Sequence, residues 1–172
     1  DVTFYAIGDE FFVVDESNLF ALAAETANAE RHPAVNIMAV GAISGQFEGA
    51  AGFVLGIPGA PTAPGANTSM LVWGVTDSGF DPLILRHETG HFGGLFHTTE
   101  FQPGLGDPLD DTPQCEDVIN LFSDCPDYSF TMFPTGGDGE GLFSDKEKRV
   151  LQGSTLYRGI FSAGGSPTLP AP

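Results

Sequence analysis

The sequence predicts one domain that mixes helices and strands, of the α/β or α+β class, with a partly parallel sheet in its first half. Two observations carry this prediction. A strand, a helix and a second strand follow one another near the start of the chain, an order that is typical of parallel strands. The 172 residues, 41% of them hydrophobic, are enough to bury one sizeable core. The second half is expected to be irregular.

Short apolar segments, partly β-branched, mark the predicted strands. They lie at residues 2–7, 34–40, 51–56 and 69–73, with a weaker candidate at 43–47. Between the first two strands, residues 17–30 (SNLFALAAETANAE) place apolar side chains at helical spacing, which predicts an amphipathic helix. The run GIPGAPTAPGANT at 56–68 contains too much proline and glycine for regular structure and is predicted to be a loop.

A second helix is predicted from Pro82 onward, with Asp81 as its N-cap. It carries His87 and His91, four positions apart. In an α-helix this spacing rotates two side chains by about 40° and separates them by about 6 Å along the axis, so both imidazoles can reach one ion. Glu88 follows His87 directly, where it is better placed to touch a water on that ion than to bind the ion itself.

The third histidine of HETGHFGGLFH, residues 87–97, cannot join the pair on an unbroken helix. His97 would then lie about 15 Å along the axis from His87, whereas zinc holds each ligand nitrogen at about 2 Å. The helix must therefore end between them. Gly93 and Gly94 supply the means, because glycine adopts the left-handed conformation that ends helices at little cost. We expect Gly94 to occupy the turn.

Three histidines around one ion predict a catalytic zinc site, with His87, His91 and His97 as ligands and a fourth position open. In this hypothesis Glu88 accepts the proton of a zinc-bound water. The alternative is that the histidines are surface or internally satisfied side chains, which the five fixed positions of the motif disfavour. His32, isolated beside a proline in a polar stretch, is interpreted as a surface residue.

The spacing HExxHxxGxxH resembles the extended zinc signature of the metzincin metallopeptidases, with Gly94 as its glycine. That clan has a methionine-containing turn beneath the zinc site, and SFTMFP at 129–134 is similar to it, with Met132 as the methionine. The alternative is an ordinary core methionine. Within the clan, GDPLDDTP at 106–113 resembles the pappalysin-type family. The segment MFP is more similar to the matrixin turn, and no tyrosine stands two positions after Met132.

The resemblance implies a metzincin-like fold with a shallow cleft. Above the cleft, at about 1–94, it implies a twisted, mostly parallel five-stranded sheet with two helices. Below the cleft, at about 95–161, it implies an irregular subdomain that ends in a helix. The sequence independently predicts this last helix, because Ser144 and Glu147 form a capping-box pattern and Gly153 is a plausible stop.

Residues 1–161 are thus predicted to form a single catalytic domain, followed by a linker-like tail at 162–172. The chain begins at Asp1 rather than with a methionine and a signal sequence, so we expect a mature or excised part of a longer protein. The catalytic domain is expected to be monomeric. No window approaches the roughly 20 apolar residues of a membrane span.

The chain is strongly acidic, with 23 acidic and only six basic side chains and a formal net charge of −17. Such a charge repels phosphate backbones and anionic lipid headgroups, which disfavours nucleic acid and anionic membranes as partners. It is typical of a solvated, aggregation-resistant surface. The alternative is recruitment of cations or basic substrates, with calcium as the first cation to consider because it prefers oxygen ligands.

The acidic loop after the third histidine is the candidate calcium site. Its DTP segment resembles the region in which some pappalysin-type enzymes bind calcium. The candidate ligands of a structural calcium ion are therefore Asp107, Asp111 and Thr112. The alternative is a solvated acidic loop without an ion, since the spacing of an EF-hand is missing.

The two cysteines, Cys115 and Cys125, lie in the stretch CEDVINLFSDC, without the CxxC spacing of a zinc or redox site. This pattern predicts a disulfide formed in an oxidising compartment, with a pair of free thiols as the alternative. The protein is therefore expected to be secreted, in an extracellular or periplasmic location.

Taken together, the motifs predict a zinc-dependent endopeptidase that hydrolyses extended peptides or proteins. In related enzymes an edge strand pairs with the substrate in antiparallel fashion, and residues 51–56 are the strand in that position. Two alternatives stay open, namely a non-catalytic metzincin-like module of a larger secreted or surface protein, and a zinc hydrolase of non-peptide amides. The presence of Glu88 favours an enzyme over a non-catalytic module, because a domain that has lost its activity can also lose its catalytic general base.

Overall fold

The computed structural model describes residues 6, 8–25, 36–45, 52–54, 70–74, 82–102, 104–136 and 140–154. In chain order the elements are β1 (Val13–Val14), α1 (Leu19–Glu25), β2 (Asn36–Val40), β3 (Ala42–Ile43), β4 (Gly52–Val54), β5 (Met70–Gly74), α2 (Pro82–Phe92), α3 (Val118–Leu121) and α4 (Asp145–Gly153). Two 3₁₀ turns, at Asp9–Phe11 and Phe122–Asp124, accompany them. Among the described residues, no helix combines the length and the apolarity needed to cross a membrane.

The described strands form two small sheets. β2 pairs in parallel with β5 over its whole length, and β4 pairs antiparallel with the opposite side of β5, so the order is β2–β5–β4. β1 pairs in parallel with β3 in a separate sheet. Within the described part of the chain, β4 is thus an edge strand with no neighbour on its outer side.

Most of the elements predicted in this part of the chain are present. β2, β4 and β5 coincide with three predicted strands, β3 overlaps the start of the weaker candidate, and α1 lies inside the predicted amphipathic segment. β1 and α3 were not predicted, because elements of two and four residues are too short to reveal a period. The predicted strand at 2–7 (except Ala6), the loop at 56–68 and the N-cap Asp81 lie outside the described residues.

The larger core packs α1 against the sheets. β2 shows the expected alternation, because Met38 and Val40 are buried whereas Ile37 is exposed. The helix contributes its leucines to the same cluster, and each fully buried leucine side chain stabilises the fold by about 1.5–3 kcal/mol. The buried members of this core are Phe11, Val14, Leu19, Leu22, Ala23, Met38, Val40 and Val72.

The second half of the chain has little regular structure and is stabilised by one disulfide and a small hydrophobic core. Cys115 and Cys125 are joined in a disulfide, which forms a small second core with Val118 and Phe133. Tyr128 packs against this cluster and meets the Phe133 ring edge-on, with 5.3 Å between ring centroids. This core lies directly beside Met132 in sequence, so it anchors the segment that passes under the histidines.

Helix α4 begins with the predicted capping box. The Glu147 amide donates to Ser144 Oγ at 3.0 Å, and the Ser144 amide donates to Glu147 Oε2 at 2.6 Å. Asp111 adds a second cap from a distant loop, because it accepts from the Ser144 hydroxyl at 3.0 Å and from the Lys146 amide at 2.9 Å. The amides of Ser144, Lys146 and Glu147 are therefore satisfied, and the acidic loop is tied to the last helix.

Candidate metal centre

Helix α2 carries the first two histidines and ends at Phe92. The Leu95 amide donates to the Gly90 carbonyl at 3.0 Å, and the Gly94 amide donates to the His91 carbonyl at 2.9 Å, which together form a Schellman motif. Gly94 has a φ of 108°, in the left-handed region that glycine adopts without strain. The chain therefore reverses at the glycine for which the sequence predicts this role.

The three histidines converge on one point. Their Nε2 atoms are separated by 3.1 Å between His87 and His91, 3.1 Å between His91 and His97, and 3.2 Å between His87 and His97. Three nitrogens that each lie about 2.0–2.1 Å from one tetrahedral zinc ion are about 3.3–3.4 Å apart. The observed spacing is therefore within a few tenths of an ångström of what zinc requires, and the residues fit the ion.

The outward-facing nitrogens fix the orientation of the first two rings. His87 Nδ1 donates to the Thr131 carbonyl at 2.7 Å, and His91 Nδ1 donates to the Leu95 carbonyl at 2.8 Å. A carbonyl oxygen only accepts hydrogen bonds, so the proton lies on Nδ1 and the Nε2 lone pair faces the centre. Burial, helped by the neighbouring imidazoles, lowers the pKa of His87 to about 4 and that of His91 to about 3. Both rings are therefore neutral near neutral pH, as metal ligands must be.

The segment around Met132 supports the histidines from below. Met132 is fully buried, and its carbonyl accepts from the Thr98 amide at 3.0 Å, one residue after the third histidine. The preceding carbonyl, that of Thr131, holds His87. Met132 also lies against α2 at Gly90, where an added Cβ would overlap its sulfur. This segment therefore contacts both helix α2, at Gly90, and the stretch after His97, at Thr98.

Replacement of Gly90 by alanine should destabilise the protein. Met132 is fully buried, and overpacking of a buried site costs about 1–3 kcal/mol, against a gain of about 1 kcal/mol from helix propensity. Gly153→Ala is the matched control, because that glycine is also helical and an added Cβ meets nothing within 4 Å. In denaturant unfolding we expect the Gly90 variant to be the less stable by at least about 1 kcal/mol. Equal stabilities would contradict the contact between Met132 and the helix.

Glu88 directly follows His87 on α2 and lies in a confined position. It is buried, and its Oε2 has no hydrogen-bond partner among the described residues. A Cβ built on Gly52 of β4 would lie 3.0 Å from Glu88 Cγ, so the edge strand passes directly over this side chain. Burial raises the pKa of Glu88 to about 8. A cation at the centre would favour the carboxylate, which leaves a buried base next to positive charge.

The three predicted calcium ligands have different surroundings. Asp107 is buried, and its Oδ1 accepts from the Thr112 hydroxyl at 2.8 Å and from the Leu109 amide at 3.0 Å. Burial raises the pKa of Asp107, and the hydrogen bonds from Thr112 and Leu109 oppose this. Asp111 is exposed, and both of its carboxylate oxygens accept hydrogen bonds from the first turn of α4. The structure thus brings Asp107 and Thr112 together, and Asp111, which caps α4, is close enough to contribute to the raised pKa of Asp107.

Three further carboxylates, which were not predicted as site residues, lie close to the site or are buried near it. Asp127 is fully buried, and its Oδ2 accepts from two threonine hydroxyls at 2.6 Å each. Glu147 is fully buried at the start of α4, and Glu100 Oε2 lies 3.1 Å from His97 Nδ1. Glu100 has a local signal in the sequence, since it follows the third histidine by three positions, and Glu147 has one only for its capping role. Asp127 meets its two threonines, and Glu147 meets Asp107 and Asp111, only through long-range packing.

Comparison with known proteins gives no family for this chain. No protein-family model, no curated protein and no solved structure matches it. The site is therefore defined by its own geometry, as a centre of three histidines with a buried carboxylate beside them.

Proposed function

We propose that this chain is a zinc-dependent endopeptidase of the metzincin type, acting on extended peptides or proteins. The observation that carries the proposal is the convergence of the Nε2 atoms of His87, His91 and His97 within 3.2 Å of one another. Neutral imidazoles at this spacing suit zinc, and three protein ligands leave a position open for catalysis. The buried carboxylate of Glu88 beside them supports a hydrolase rather than a structural site.

The chemistry divides between the ion and the chain. A bound zinc ion supplies positive charge that lowers the pKa of water towards neutrality and polarises the scissile carbonyl. Glu88 accepts a proton from the attacking water and then delivers it to the leaving amine nitrogen, so the proton count balances over the cycle. The absence of a partner for Glu88 Oε2 among the described residues supports this role, because that oxygen has no competing hydrogen bond there.

The substrate is proposed to bind along β4. This strand has a free outer edge within the described part of the chain, and it passes next to Glu88 at Gly52. An extended peptide added antiparallel to β4 would form main-chain hydrogen bonds whatever its sequence. Such binding would hold any extended peptide. The preference for particular substrate side chains would then be determined by the segment 132–135, near the histidines.

Metal removal tests the whole proposal. Zinc-loaded protein should cleave peptides of a complex library, and cleavage should stop when a strong chelator strips the ion and return when zinc is restored. Elemental analysis at each stage checks that activity follows zinc content. Cleavage that persists without zinc would refute the metal centre, whereas a zinc-loaded protein that cleaves nothing would point to a non-catalytic module.

For a second ion we propose calcium between the acidic loop and α4. Asp107 Oδ2, Asp127 Oδ1 and Glu147 Oε1 are buried without hydrogen-bond partners among the described residues, and buried carboxylates without compensation are costly. Their region of the described chain does not bring three such oxygens within 4.8 Å of one another. An ion there would therefore also use main-chain oxygens and water, which calcium accepts.

Calcium should raise the melting temperature of the zinc-loaded protein. Each kcal/mol of binding free energy corresponds to about 2–4 °C for a domain of this size. Asp107→Asn should remove the effect, because it takes away the buried charge that the ion would compensate. Asp124→Asn, at an exposed position, is the matched control and should keep the effect. A melting temperature indifferent to calcium would exclude a structural ion.

An oxidising location is proposed from the disulfide. Cys115 and Cys125 are bonded, and the structure has no free cysteine among its described residues. Structural disulfides persist in extracellular and periplasmic compartments and are rare in reducing ones. We therefore propose that the protein is a secreted peptidase, which is consistent with both the disulfide and the proposed zinc centre.

A further inference from the structure

The three facing Nε2 atoms raise a question of proton placement. Two imidazole nitrogens 3.1–3.2 Å apart form a hydrogen bond only if one of them carries a proton. His87 and His91 each place the proton on the opposite nitrogen, because Nδ1 faces a main-chain carbonyl. Their Nε2 atoms therefore present lone pairs to each other and to His97.

His97 is the member of the set whose tautomer is not fixed by the main chain. With a proton on Nε2, it would donate to His87 or His91 at 3.1–3.2 Å and satisfy the cluster without a metal ion. With the proton on Nδ1, all three lone pairs face one point and form a ligand set. The second state requires an acceptor at His97 Nδ1.

Glu100 is the acceptor in the right place. Its Oε2 lies 3.1 Å from His97 Nδ1, within ion-pair distance although the two groups are not aligned as a hydrogen bond in this structure. His97 Nδ1 is a buried atom with no hydrogen-bond partner among the described residues, so the carboxylate is its one charged neighbour there. An ionised carboxylate only accepts hydrogen bonds, and it therefore favours a proton on Nδ1.

The backbone of Glu100 is held rather than free. Thr99 and Gly106 form an antiparallel bridge, and the Glu100 amide donates to the Leu105 carbonyl at 2.8 Å. The Thr99 hydroxyl donates to buried Asp127 at 2.6 Å. This hairpin starts two residues after His97, so it fixes the spacing of the two residues' main chains and keeps the carboxylate within reach of the imidazole.

We propose that Glu100 is a positioning residue that selects the Nδ1-protonated tautomer of His97 and so converts three histidines into a metal-binding set. The inference rests on the proposed metal centre. It assigns no chemical step to Glu100, which acts through His97 alone. Carboxylates behind metal-binding histidines characteristically raise metal affinity by about 10–100-fold.

The direct test is the tautomer of His97 in metal-free, ¹⁵N-labelled protein near neutral pH, read from long-range proton–nitrogen correlations of the imidazoles. Wild-type protein should show a protonated Nδ1 on all three rings. Glu100→Ala should move the His97 proton to Nε2, whereas Glu100→Gln should keep it on Nδ1, because the amide carbonyl of glutamine still accepts. Glu116→Ala removes an exposed carboxylate elsewhere and should change nothing.

Zinc affinity, measured by competition with a chromophoric chelator, gives a second readout. Glu100→Ala should bind zinc about 10–100-fold more weakly than wild type, with Glu100→Gln in between. If wild-type protein does not retain zinc, the metal centre fails and this inference fails with it. If wild type retains zinc but Glu100→Ala keeps both the Nδ1 proton and wild-type affinity, the role of Glu100 is refuted while the metal centre stands.

Discussion

Glu88→Gln is expected to lower kcat/KM for peptide cleavage by about 10²–10⁴-fold while zinc remains bound. Glutamine has nearly the same shape as glutamate, so the packing of this buried side chain beneath Gly52 is preserved. It cannot accept a proton from water, however, and the attacking hydroxide is then not formed. Cleavage of an unfolded protein substrate and zinc content by elemental analysis measure the two effects separately.

The matched control is Glu116→Gln, which makes the same chemical change at an exposed position. It should retain wild-type turnover and zinc. Undiminished cleavage by the Glu88 variant would rule out Glu88 as the base. Loss of zinc from that variant would instead indicate that Glu88 is a ligand, although its carboxylate does not lie within 4.8 Å of all three histidine nitrogens.

The local geometry of the site could be predicted from the sequence. The spacing of His87 and His91 follows from the period of the helix, and the distance to His97 along an unbroken helix excludes any arrangement in which the helix continues. The sequence therefore predicts that α2 ends near Gly94, and the Schellman motif with its positive φ is found there. Local sequence suffices because all of these contacts lie within eleven residues.

Contacts between distant segments could not be predicted in the same way. The resemblance of the DTP segment predicts Asp111 as a calcium ligand, and that stays a prediction; what local sequence could not show is that its carboxylate caps α4, whose first turn is 33 and 35 residues away. The pairing of β2 with β5 likewise depends on long-range packing, and the edge position of β4 was expected only from the resemblance to known enzymes. Strand periodicity tells which residues are extended and leaves open which strands become neighbours.

His97→Ala should lower zinc affinity by more than the roughly 10–100-fold that follows from loss of a supporting partner, because it removes a ligand itself. Only His87 and His91 would remain, and zinc sites in proteins use at least three protein ligands when they are catalytic. Peptide cleavage should fall with zinc occupancy. Chelator competition gives the affinity, and elemental analysis gives the occupancy after dialysis.

His32→Ala is the matched control, since His32 is the one histidine of the chain outside the motif. It should keep one zinc ion per chain. The His97 variant also separates loss of the metal site from loss of the fold. His97 is only half-buried, and the chain on either side of it is fixed by the Schellman motif and by the hydrogen bond from the Thr98 amide to the Met132 carbonyl. The metal-free His97 variant should therefore melt close to metal-free wild type. If the His97 variant loaded with zinc instead retains one zinc ion per chain after dialysis, the three converging nitrogens are an internal imidazole cluster. The proposal of a peptidase then loses the observation on which it depends.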